Sequence, residues 1–554
     1  MGYLQQIYIC HCVSYVIIVT KVSMNSKLLR NLLFSLIVAC FFYYAYRYIL
    51  ASSFVIDGQR FYVLFDDAMI SMRYAYNLVH GYGLVWNAGE RVEGFTNPLW
   101  VLFMALFHLM PIPLSQMSLP IQISGAVFLA ANLYFVRRIV EHFTDNMPAM
   151  LAAVAFTAFY APLISWGLLG MEVSLLALIL TATVWLILNN GLDHFTPWTY
   201  ILLGVATLVR FDMAVPYLVI LTVLFIVQNR YRKQNVLWGF GLLILFLGGQ
   251  TIARYLYYGQ LLPNTYYLKV DGWPFSLRIL RGLYALIWFM YYTNWVLFLL
   301  PLTIFFFRRD WKVTLLILVI IGQLAYSVYV GGDAWEDHGG ANRYISIAMP
   351  LFFAAFALSL DLLRQKAIAV FKSTSTAVSI SRIAWIVLFI TAMLNFNLLI
   401  GDWKSIDRWD LFRKPDYVAG NENNLQIALA LQKTTKPGAS IAVVGAGTIP
   451  YLLPDDYAID ILGKADTVIA HEKVRTPMSI EDVPTMRPGH MKWDYAHTFG
   501  ELKPDVIVSI WEGTSQEAAP YLVDYVSASL APGVKVYLRK NSPNILWDKV
   551  IIHD

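Results

Sequence analysis

Charged residues are scarce in this chain, and their scarcity decides its class. Of the 554 residues, only 14% are charged and 58% are hydrophobic, whereas a soluble globular protein has about 25% charged residues. Several soluble domains could not cover their surfaces with so few charges, and a disordered chain would be more polar. The formal net charge is only +5, so no nucleic acid is expected as a partner.

The few charges are concentrated toward the carboxyl end. Residues 1–400 contain 25 Lys and Arg and 16 Asp and Glu, whereas residues 401–554 contain 16 and 20. This contrast predicts a membrane domain over 31–400 and one soluble domain over 401–554. The basic excess then belongs to the loops between membrane helices.

Cysteine is also rare, and the last of the three in the chain is Cys40. The carboxyl-terminal domain therefore has no disulfide and must fold around its own apolar core. The apolar run at 7–20 is too short for a membrane helix, and it lacks the basic start and the cleavage site of a signal peptide. We therefore expect residues 1–30 to be an N-terminal extension, with Met24 as the natural start.

Apolar segments long enough, or nearly long enough, to cross a bilayer recur between residues 31 and 400. They predict about 11 to 13 membrane spans. Clusters of Arg and Lys lie between the segments and should stay in the cytoplasm, which places the loop at 52–97 and the carboxyl-terminal domain outside it. The predicted fold class is a polytopic α-helical membrane protein with an extracytoplasmic α/β domain.

Four strand-like runs support the α/β prediction for the carboxyl-terminal domain. They are IAVVG at 441–445, YAID at 457–460, DVIVS at 505–509 and VKVYLR at 534–539, with helical stretches between them. Gly445 and Gly447 follow the first run, but Pro450 stands where a dinucleotide-binding turn has its third glycine. A tight strand-to-helix turn is therefore favoured over a Rossmann site.

The loop at 52–97 contains the first candidate for catalysis, the adjacent pair Asp66 and Asp67. Two carboxylates repel each other, and one that lies near lipid loses hydration, so one of the pair should be a stronger base than a free aspartate. Such a carboxylate could take a proton from a sugar hydroxyl. The alternative is that Asp66 only caps the helix that follows it.

The residues after the pair have helical spacing. Asp66, Ile70, Arg73 and Asn77 fall on one side of a helix, and this pattern predicts a helix at the membrane interface. The glycine after His80 should end it.

Five segments in the same order resemble one enzyme family. The string DDAMISMRYAYNLVHGYGLVWNAGERVEGFTNPLW at 66–100 is similar to the first outer loop of the mycobacterial terminal arabinofuranosyltransferases and their Gram-negative relatives, some described as flagellar motor control proteins. These belong to the GT-C superfamily of integral-membrane glycosyltransferases, which use polyprenyl-phosphate sugars. The other segments are LVRFDMAVP at 208–216, where Phe211 replaces the usual Pro, RYLYYGQLLPNTYYLK at 254–269, GGDAWEDHGGANRYISIAMP at 331–350, and GAGTIPYLLPDDYAIDILGKAD with PGHMKWDY in the carboxyl-terminal domain.

The resemblance implies roles for individual residues. Asp66 would be the general base that acts on the acceptor, with Asp67 as the second choice. The donor would leave as a lipid phosphate, an anion that cations stabilise. Arg254, Lys269 and Arg343 lie at the ends of apolar segments where they could bind it, although such residues also snorkel to lipid head groups.

Other residues are expected to line the site. Asn264 and Tyr266 could hydrogen-bond the donor sugar or anchor the chain at the membrane interface. Acceptor-binding or cavity-lining roles are predicted for Arg73, His80, Glu93, Asn97, Asp333, His338, His490 and Lys492. The last two belong to a polar cluster with Asp494 and His497, which could hold the acceptor or simply pack onto the first loop.

Three charges fall inside apolar segments, where charges are costly and often functional. They are Glu172, Arg210 and Asp212, of which the last two could instead neutralise each other at a helix end. Asp333, Asp337 and His338 could hold a divalent cation, but their spacing is not that of a compact ligand set, so the metal remains open. No other cofactor is expected.

The sequence thus predicts a glycosyltransferase of the bacterial inner membrane. It would move a sugar, with an arabinofuranose-like pentose favoured, from a polyprenyl-phosphate donor to a glycan or glycolipid acceptor outside the cytoplasm. Its partners would be the donor, the acceptor and membrane lipids. One alternative is a transporter or flippase of lipid-linked sugars, which would need inverted repeats that are not evident. The other is a non-enzymatic motility or envelope factor, against which the intact aspartate pair counts.

Overall fold

The computed structural model describes residues 26–336, 341–370, 375–399, 401–475 and 478–553. Most of the expected N-terminal extension, including Met24, lies outside these ranges, and so do Asp337 and His338.

Helices form most of the chain from residue 26 to residue 397. Three of them, Pro98–His108, Met147–Ala158 and Ala161–Leu168, have a proline in the first turn, because the first turn does not need the amide hydrogen that proline lacks. In chain order they are α1 Ser26–Ala51, α2 Asp66–Val79, α3 Pro98–His108, α4 Ser118–Phe143, α5 Met147–Ala158, α6 Ala161–Leu168, α7 Val173–Asn190, α8 Trp198–Val209, α9 Ala214–Val227, α10 Arg232–Leu243, α11 Gly249–Tyr258, α12 Asn264–Lys269, α13 Phe275–Thr293, α14 Trp295–Leu299, α15 Ile304–Phe307, α16 Trp311–Tyr329, α17 Arg343–Ser346, α18 Met349–Val370 and α19 Ser375–Asn397. A short hairpin of β1 Ser53–Ile56 and β2 Gln59–Tyr62 precedes α2.

The chain is a multi-pass membrane protein. Five of its described helices are long and apolar enough to cross a membrane, and they lie at Lys27–Ala51, Ser118–Phe143, Val173–Asn190, Asn229–Tyr258 and Trp311–Tyr329. Two bent pairs, α5 with α6 at 48° and α13 with Trp295–Phe307 at 105°, raise the number to seven if each pair is one span. Four more apolar helices are shorter. The predicted 11 to 13 spans thus include segments that are broken or short, and that number stays a prediction.

The carboxyl-terminal part is an α/β domain, as predicted. Its strands are β3 Ser440–Val443, β4 Tyr457–Asp460, β5 Val506–Ile507, β6 Tyr525–Ala531, β7 Val534–Arg539 and β8 Ile551–His553, and its helices are α20 Lys404–Trp409, α21 Val418–Thr434, α22 Thr448–Leu452, α23 Thr467–Ala470 and α24 Ser515–Ala518. The strand order is β4-β3-β5-β7-β6-β8. β3 pairs in parallel with β4 and β5, and the other pairs are antiparallel.

Helix α2 lies between the membrane helices and this α/β domain. It begins at Asp66 and ends before His80, as the sequence predicts, but most of its residues from Ala68 to Asn77 are buried. The α/β domain thus covers the side of this helix that would face water, and its position at the membrane interface stays a prediction. Arg73 secures this cover, since its guanidinium donates to the backbone oxygens of Leu453 at 3.2 Å and Asp456 at 3.0 Å.

Candidate active site

Asp66 begins α2, and its carboxylate faces the turn between β3 and α22. Its Oδ1 accepts hydrogen bonds from the amide of Thr448 at 2.9 Å and the side chain of Asn424 at 3.3 Å, and its Oδ2 accepts one from the amide of Gly447 at 3.1 Å. The N-cap of α2 is Phe65, and no side chain caps it. The alternative in which Asp66 caps its own helix is therefore wrong, because it binds the first amides of α22 instead.

This turn approaches α2 so closely that it has no room for side chains. A Cβ atom at Gly447 would lie 1.8 Å from the backbone oxygen of Asp66, and one at Gly445 would lie 3.4 Å from its Oδ2. The two glycines were predicted to form a tight strand-to-helix turn. The structure adds a second reason for them, which is close contact between two distant segments.

Asp67 faces the other way and binds two cations. Its Oδ1 accepts from the ammonium of Lys464 at 2.6 Å, and its Oδ2 accepts from the guanidinium of Arg343 at 2.9 Å. Burial alone would raise the pKa of Asp67, but Lys464 and Arg343 outweigh it and hold that pKa well below its ordinary value. Asp67 is therefore a permanent anion and a poor base.

Arg343 also binds a second carboxylate. Its Nε and Nη2 atoms donate to the two oxygens of Asp333 at 2.5 and 3.0 Å, which is a bidentate pair. Burial opposes the ionised form of Asp333, but Arg343 outweighs it and lowers the pKa of Asp333. Arg343, predicted to bind the donor phosphate, and Asp333, predicted to line the cavity, thus fix each other.

Lys269 leaves this cluster with an excess of positive charge. Three cations, Lys269, Arg343 and Lys464, lie near two carboxylates, Asp67 and Asp333, and they influence one another electrostatically. Burial, followed by the charge of Arg343, lowers the pKa of Lys269 to about 8. In the part of the chain that the structure describes, no carboxylate forms an ion pair with Lys269, so its ammonium is available to an anionic ligand. We call these five residues the cation cluster.

Sequence reasoning missed Lys464, although the quoted string ILGKAD contains it. The side chain of Asn264 holds the turn that carries this lysine, donating to the backbone oxygens of Gly463, Lys464 and Asp466 at 3.0, 3.1 and 3.0 Å. The buried Asn264, predicted to contact the donor sugar, therefore has a positioning task. Tyr266 is exposed.

Arg254 is buried and does not reach the cation cluster. Its Nε atom donates to the carboxylate of Glu93, and its Nη1 donates to the backbone oxygen of Leu261 at 3.3 Å. Burial raises the pKa of Glu93, although Arg254 acts in the opposite direction. The two residues, predicted separately for donor and acceptor, thus form one interior ion pair.

The remaining predicted residues of the first loop have structural partners. His80 is exposed and stacks on Tyr76, with ring centroids 3.8 Å apart. Asn97 donates to Glu172 at 3.0 Å, and Arg210 donates to the same carboxylate at 3.1 Å.

Arg210 also forms a bidentate pair with Asp212, with distances of 2.5 and 2.7 Å. The three buried charges predicted inside apolar segments therefore contact one another, with the guanidinium of Arg210 paired to both carboxylates.

His490 and Lys492 differ in their surroundings. His490 packs between the rings of Trp335 and Trp511, with centroids 5.6 and 5.4 Å away. Burial and the charge of Lys464 lower the pKa of His490 to about 3, so it is neutral at ordinary pH.

Lys492 is buried and donates to the backbone oxygens of Tyr267 at 3.0 Å and Ala470 at 2.9 Å. Lys492 therefore has a packing role, but its two acceptors lie outside the first loop, onto which the alternative placed it. Within the described ranges, no three His, Cys, Asp or Glu side chains come together as a metal site.

Comparisons with known proteins bear on the fold. Residues 405–539 match a domain of unknown function, DUF8728, and no curated protein matches the chain. Among solved structures, ArnT from Cupriavidus metallidurans in the apo state is 13% identical, with 90% of this chain and 97% of ArnT covered and a TM-score of 0.50. The same protein bound to undecaprenyl phosphate is 12% identical, with 92% and 98% covered and a TM-score of 0.53. The Archaeoglobus fulgidus oligosaccharyltransferase in complex with Zn and sulfate is 13% identical, with 93% and 74% covered and a TM-score of 0.51.

The chain has a GT-C-like fold. The similarity extends over both parts of the molecule, since it covers at least 90% of the chain in each of these comparisons. On this GT-C-like fold, the predicted residues that the structure brings together are Asp66, Asp67, Lys269, Asp333, Arg343 and His490, and Lys464 joins them. In this arrangement the carboxylate of Asp66 lies next to the cation cluster.

Proposed function

We propose that the chain is a glycosyltransferase that moves a sugar from a polyprenyl-phosphate donor to a glycan or glycolipid acceptor. The observation that carries the proposal is that two adjacent carboxylates, Asp66 and Asp67, face different partners. Asp66 forms no ion pair among the described residues, whereas Asp67 is bound within a cluster that has one surplus positive charge. A base and an anion-binding site therefore lie side by side.

The cation cluster suits the donor phosphate. Transfer breaks the bond between the anomeric carbon and a phosphate oxygen, and the electron pair leaves with that oxygen. Lys269, Arg343 and Lys464 would stabilise this charge as it develops, and Asp67 and Asp333 hold two of the three cations in place beforehand. The structure of ArnT with undecaprenyl phosphate supports a lipid phosphate as the ligand of such a fold.

Asp66 suits the acceptor. A hydroxyl of the acceptor would donate its proton to Asp66, and its oxygen would bond to the anomeric carbon that the phosphate leaves. A carboxylate offers about four acceptor positions, and Asp66 uses three of them. One position on Oδ2 is thus left for a hydroxyl.

Two finer features of the proposal rest on the resemblance of the first loop. The favoured sugar is an arabinofuranose-like pentose, and the site would lie on the extracytoplasmic side of the bacterial inner membrane. A donor held by the membrane fits that side, since nucleotide sugars stay in the cytoplasm.

The test compares Asp66→Asn with the matched control Asp57→Asn. Purified protein in nanodiscs receives a labelled polyprenyl-phosphoryl arabinofuranose and a cell-envelope glycan fraction, and transfer of label is measured. Asp66→Asn should slow transfer by about 10²-fold or more without changing the affinity for undecaprenyl phosphate. Asp57 is exposed, pairs with Lys433 and has a φ of 49°, which asparagine tolerates, so its variant should keep full activity. Full activity of Asp66→Asn would refute the assignment.

A further inference from the structure

A crevice opens at the carboxyl ends of β3 and β5 in the α/β domain. Because β3 lies between β4 and β5, the chain leaves β3 toward one side and returns to β5 on the other. Open α/β sheets bind ligands at such points, where the connections diverge. The crevice has a volume of about 320 Å³, which is within the range of small-ligand pockets.

Two of the residues that line the crevice also approach the carboxylate of Asp66. They are Gly445 and Asn424. Asn424 donates to Oδ1 of Asp66 at 3.3 Å, and a Cβ atom at Gly445 would lie 3.4 Å from Oδ2. Both carboxylate oxygens of Asp66 thus lie next to residues that line the crevice, although Asp66 itself is not among the lining residues. The cations of the cluster lie on the side of the neighbouring Asp67.

The mouth of the crevice is polar. Asn423, Ser509 and Lys535 are exposed there. No acidic side chain lines the crevice, and Lys535 has no hydrogen-bond or ion-pair partner within the portion of the protein that the structure describes. Amide, hydroxyl and ammonium groups together suit a hydroxyl-rich ligand that carries negative charge.

We propose that this crevice binds the acceptor, and that the acceptor is a saccharide with an acidic group close to Lys535. The inference rests on the proposed function, because it supplies the hydroxyl that Asp66 would deprotonate. It assigns a task to the domain of unknown function, and it places the acceptor away from the loop of His490 and Lys492. The donor phosphate and the acceptor would then approach Asp66 from opposite sides.

The test is photo-crosslinking with the full chain in the cells that produce it. p-Benzoylphenylalanine replaces Asn423, and the matched control carries it at Gln426, an exposed residue of the same helix that does not line the crevice. The probe is the benzophenone group of this introduced residue, which on irradiation crosslinks to a cell-envelope glycan bound next to it. Intact-mass measurement should detect a glycan adduct at position 423 and not at 426.

Two further variants test the charge. In the Asn423 photo-probe protein, Lys535→Glu should lower the adduct yield by about tenfold or more, as loss of one charge-assisted contact implies, and Lys535→Arg should retain it. Equal yields at 423 and 426, or no adduct at 423, would overturn the acceptor site. An adduct yield that Lys535→Glu leaves unchanged would overturn the claim that the acceptor carries an acidic group close to Lys535.

Donor turnover separates this inference from the proposed function. Purified protein is incubated with a labelled polyprenyl-phosphoryl sugar, and release of the sugar to water is measured without acceptor. We expect release of the sugar. Release without any adduct would refute the crevice alone, whereas an adduct without release or transfer would refute the glycosyltransferase and leave a saccharide-binding site.

Discussion

At the scale of single residues, Asp66 and Asp67 show how neighbours in sequence receive different chemistry. Successive residues of a helix point in directions about 100° apart, so one carboxylate meets backbone amides and the other meets cations. Asp67 is ionised and occupied, which leaves it a structural role in holding Arg343 and Lys464. Asp66 has only neutral donors and an open position, so it is the better candidate for a base.

Lys269 should make donor binding depend on pH. Its pKa is lowered to about 8, so it is charged below pH 8 and loses its charge as the pH rises through that value. A lipid phosphate is largely a dianion above about pH 6, so affinity for undecaprenyl phosphate should fall above pH 8, by up to about tenfold per pH unit. Thermophoresis in nanodiscs between pH 6.5 and 9.5 would measure it.

The matched variants for this prediction are Lys269→Met and Lys473→Met. Lys269→Met should bind the lipid about tenfold more weakly at pH 7 and lose the pH dependence around 8. Lys473 is exposed, and its variant should behave as the unmodified protein does. A pH profile that survives in Lys269→Met would remove this lysine from the phosphate site.

At the scale of elements, the turn between β3 and α22 and the start of α2 form one unit. The first amides of a helix lack partners within it, and Asp66 supplies them for α22 from a helix that is 382 residues away in the chain. The same hydrogen bonds cap α22 and fix the orientation of the Asp66 carboxylate. The glycines at 445 and 447 therefore allow the close approach that this contact requires.

Gly447→Ala should separate these two elements. The added Cβ would lie 1.8 Å from the backbone oxygen of Asp66, so α2 and the turn must move apart and both amide contacts to the carboxylate weaken. Displacement of about 1 Å can reduce catalysis by about 10²-fold. We expect that loss in the transfer assay, with donor affinity unchanged because the cation cluster lies on the Asp67 side.

Gly420→Ala is the control for this substitution. It lies in α21, where an added Cβ meets no atom within 4 Å, and alanine favours a helix over glycine. Its activity should be unchanged and its stability equal or higher. Normal transfer by Gly447→Ala would show that the contact between α2 and the turn does not orient the base.

Local sequence patterns were sufficient to predict several strands, a helix and a turn. They were not sufficient to predict which distant residues contact one another. The strands β3, β4, β5 and β7, the helix after Asp66 and the turn at Gly445 follow from hydrophobic alternation, helical spacing and glycine. The bond between Asp67 and Lys464 joins residues 397 positions apart, and no local pattern encodes it. The short edge strand β8 has exposed residues, which is why alternation gave no signal there.

At the scale of the whole molecule, the site exists only where the two parts of the chain meet. Asp66, Asp67, Lys269 and Arg343 belong to the part that contains the membrane helices, whereas Lys464 comes from the α/β domain. The sequence patterns could not predict this meeting, because they indicate the fold of each part but not how the two parts pack against each other. The GT-C-like fold supplies the arrangement, and the buried polar contacts between the parts stabilise it.

Arg73 should control this docking, and its loss tests the whole arrangement. It donates to the backbone oxygens of Leu453 and Asp456 across the boundary and to Trp86 at 2.6 Å within the first loop. Hydrogen bonds from a charged group contribute about 1.5–3 kcal/mol each, so Arg73→Met should weaken docking by several kcal/mol. Hydrogen exchange should rise in α2 and in the turn at 445–448, and transfer should fall together with it. Arg60→Met is the control, since Arg60 is exposed in the same loop and, among the residues that the structure describes, its side chain donates one hydrogen bond, to Ser53. If exchange in α2 stays unchanged in Arg73→Met, docking does not depend on this arginine, and the site must be held together by other contacts.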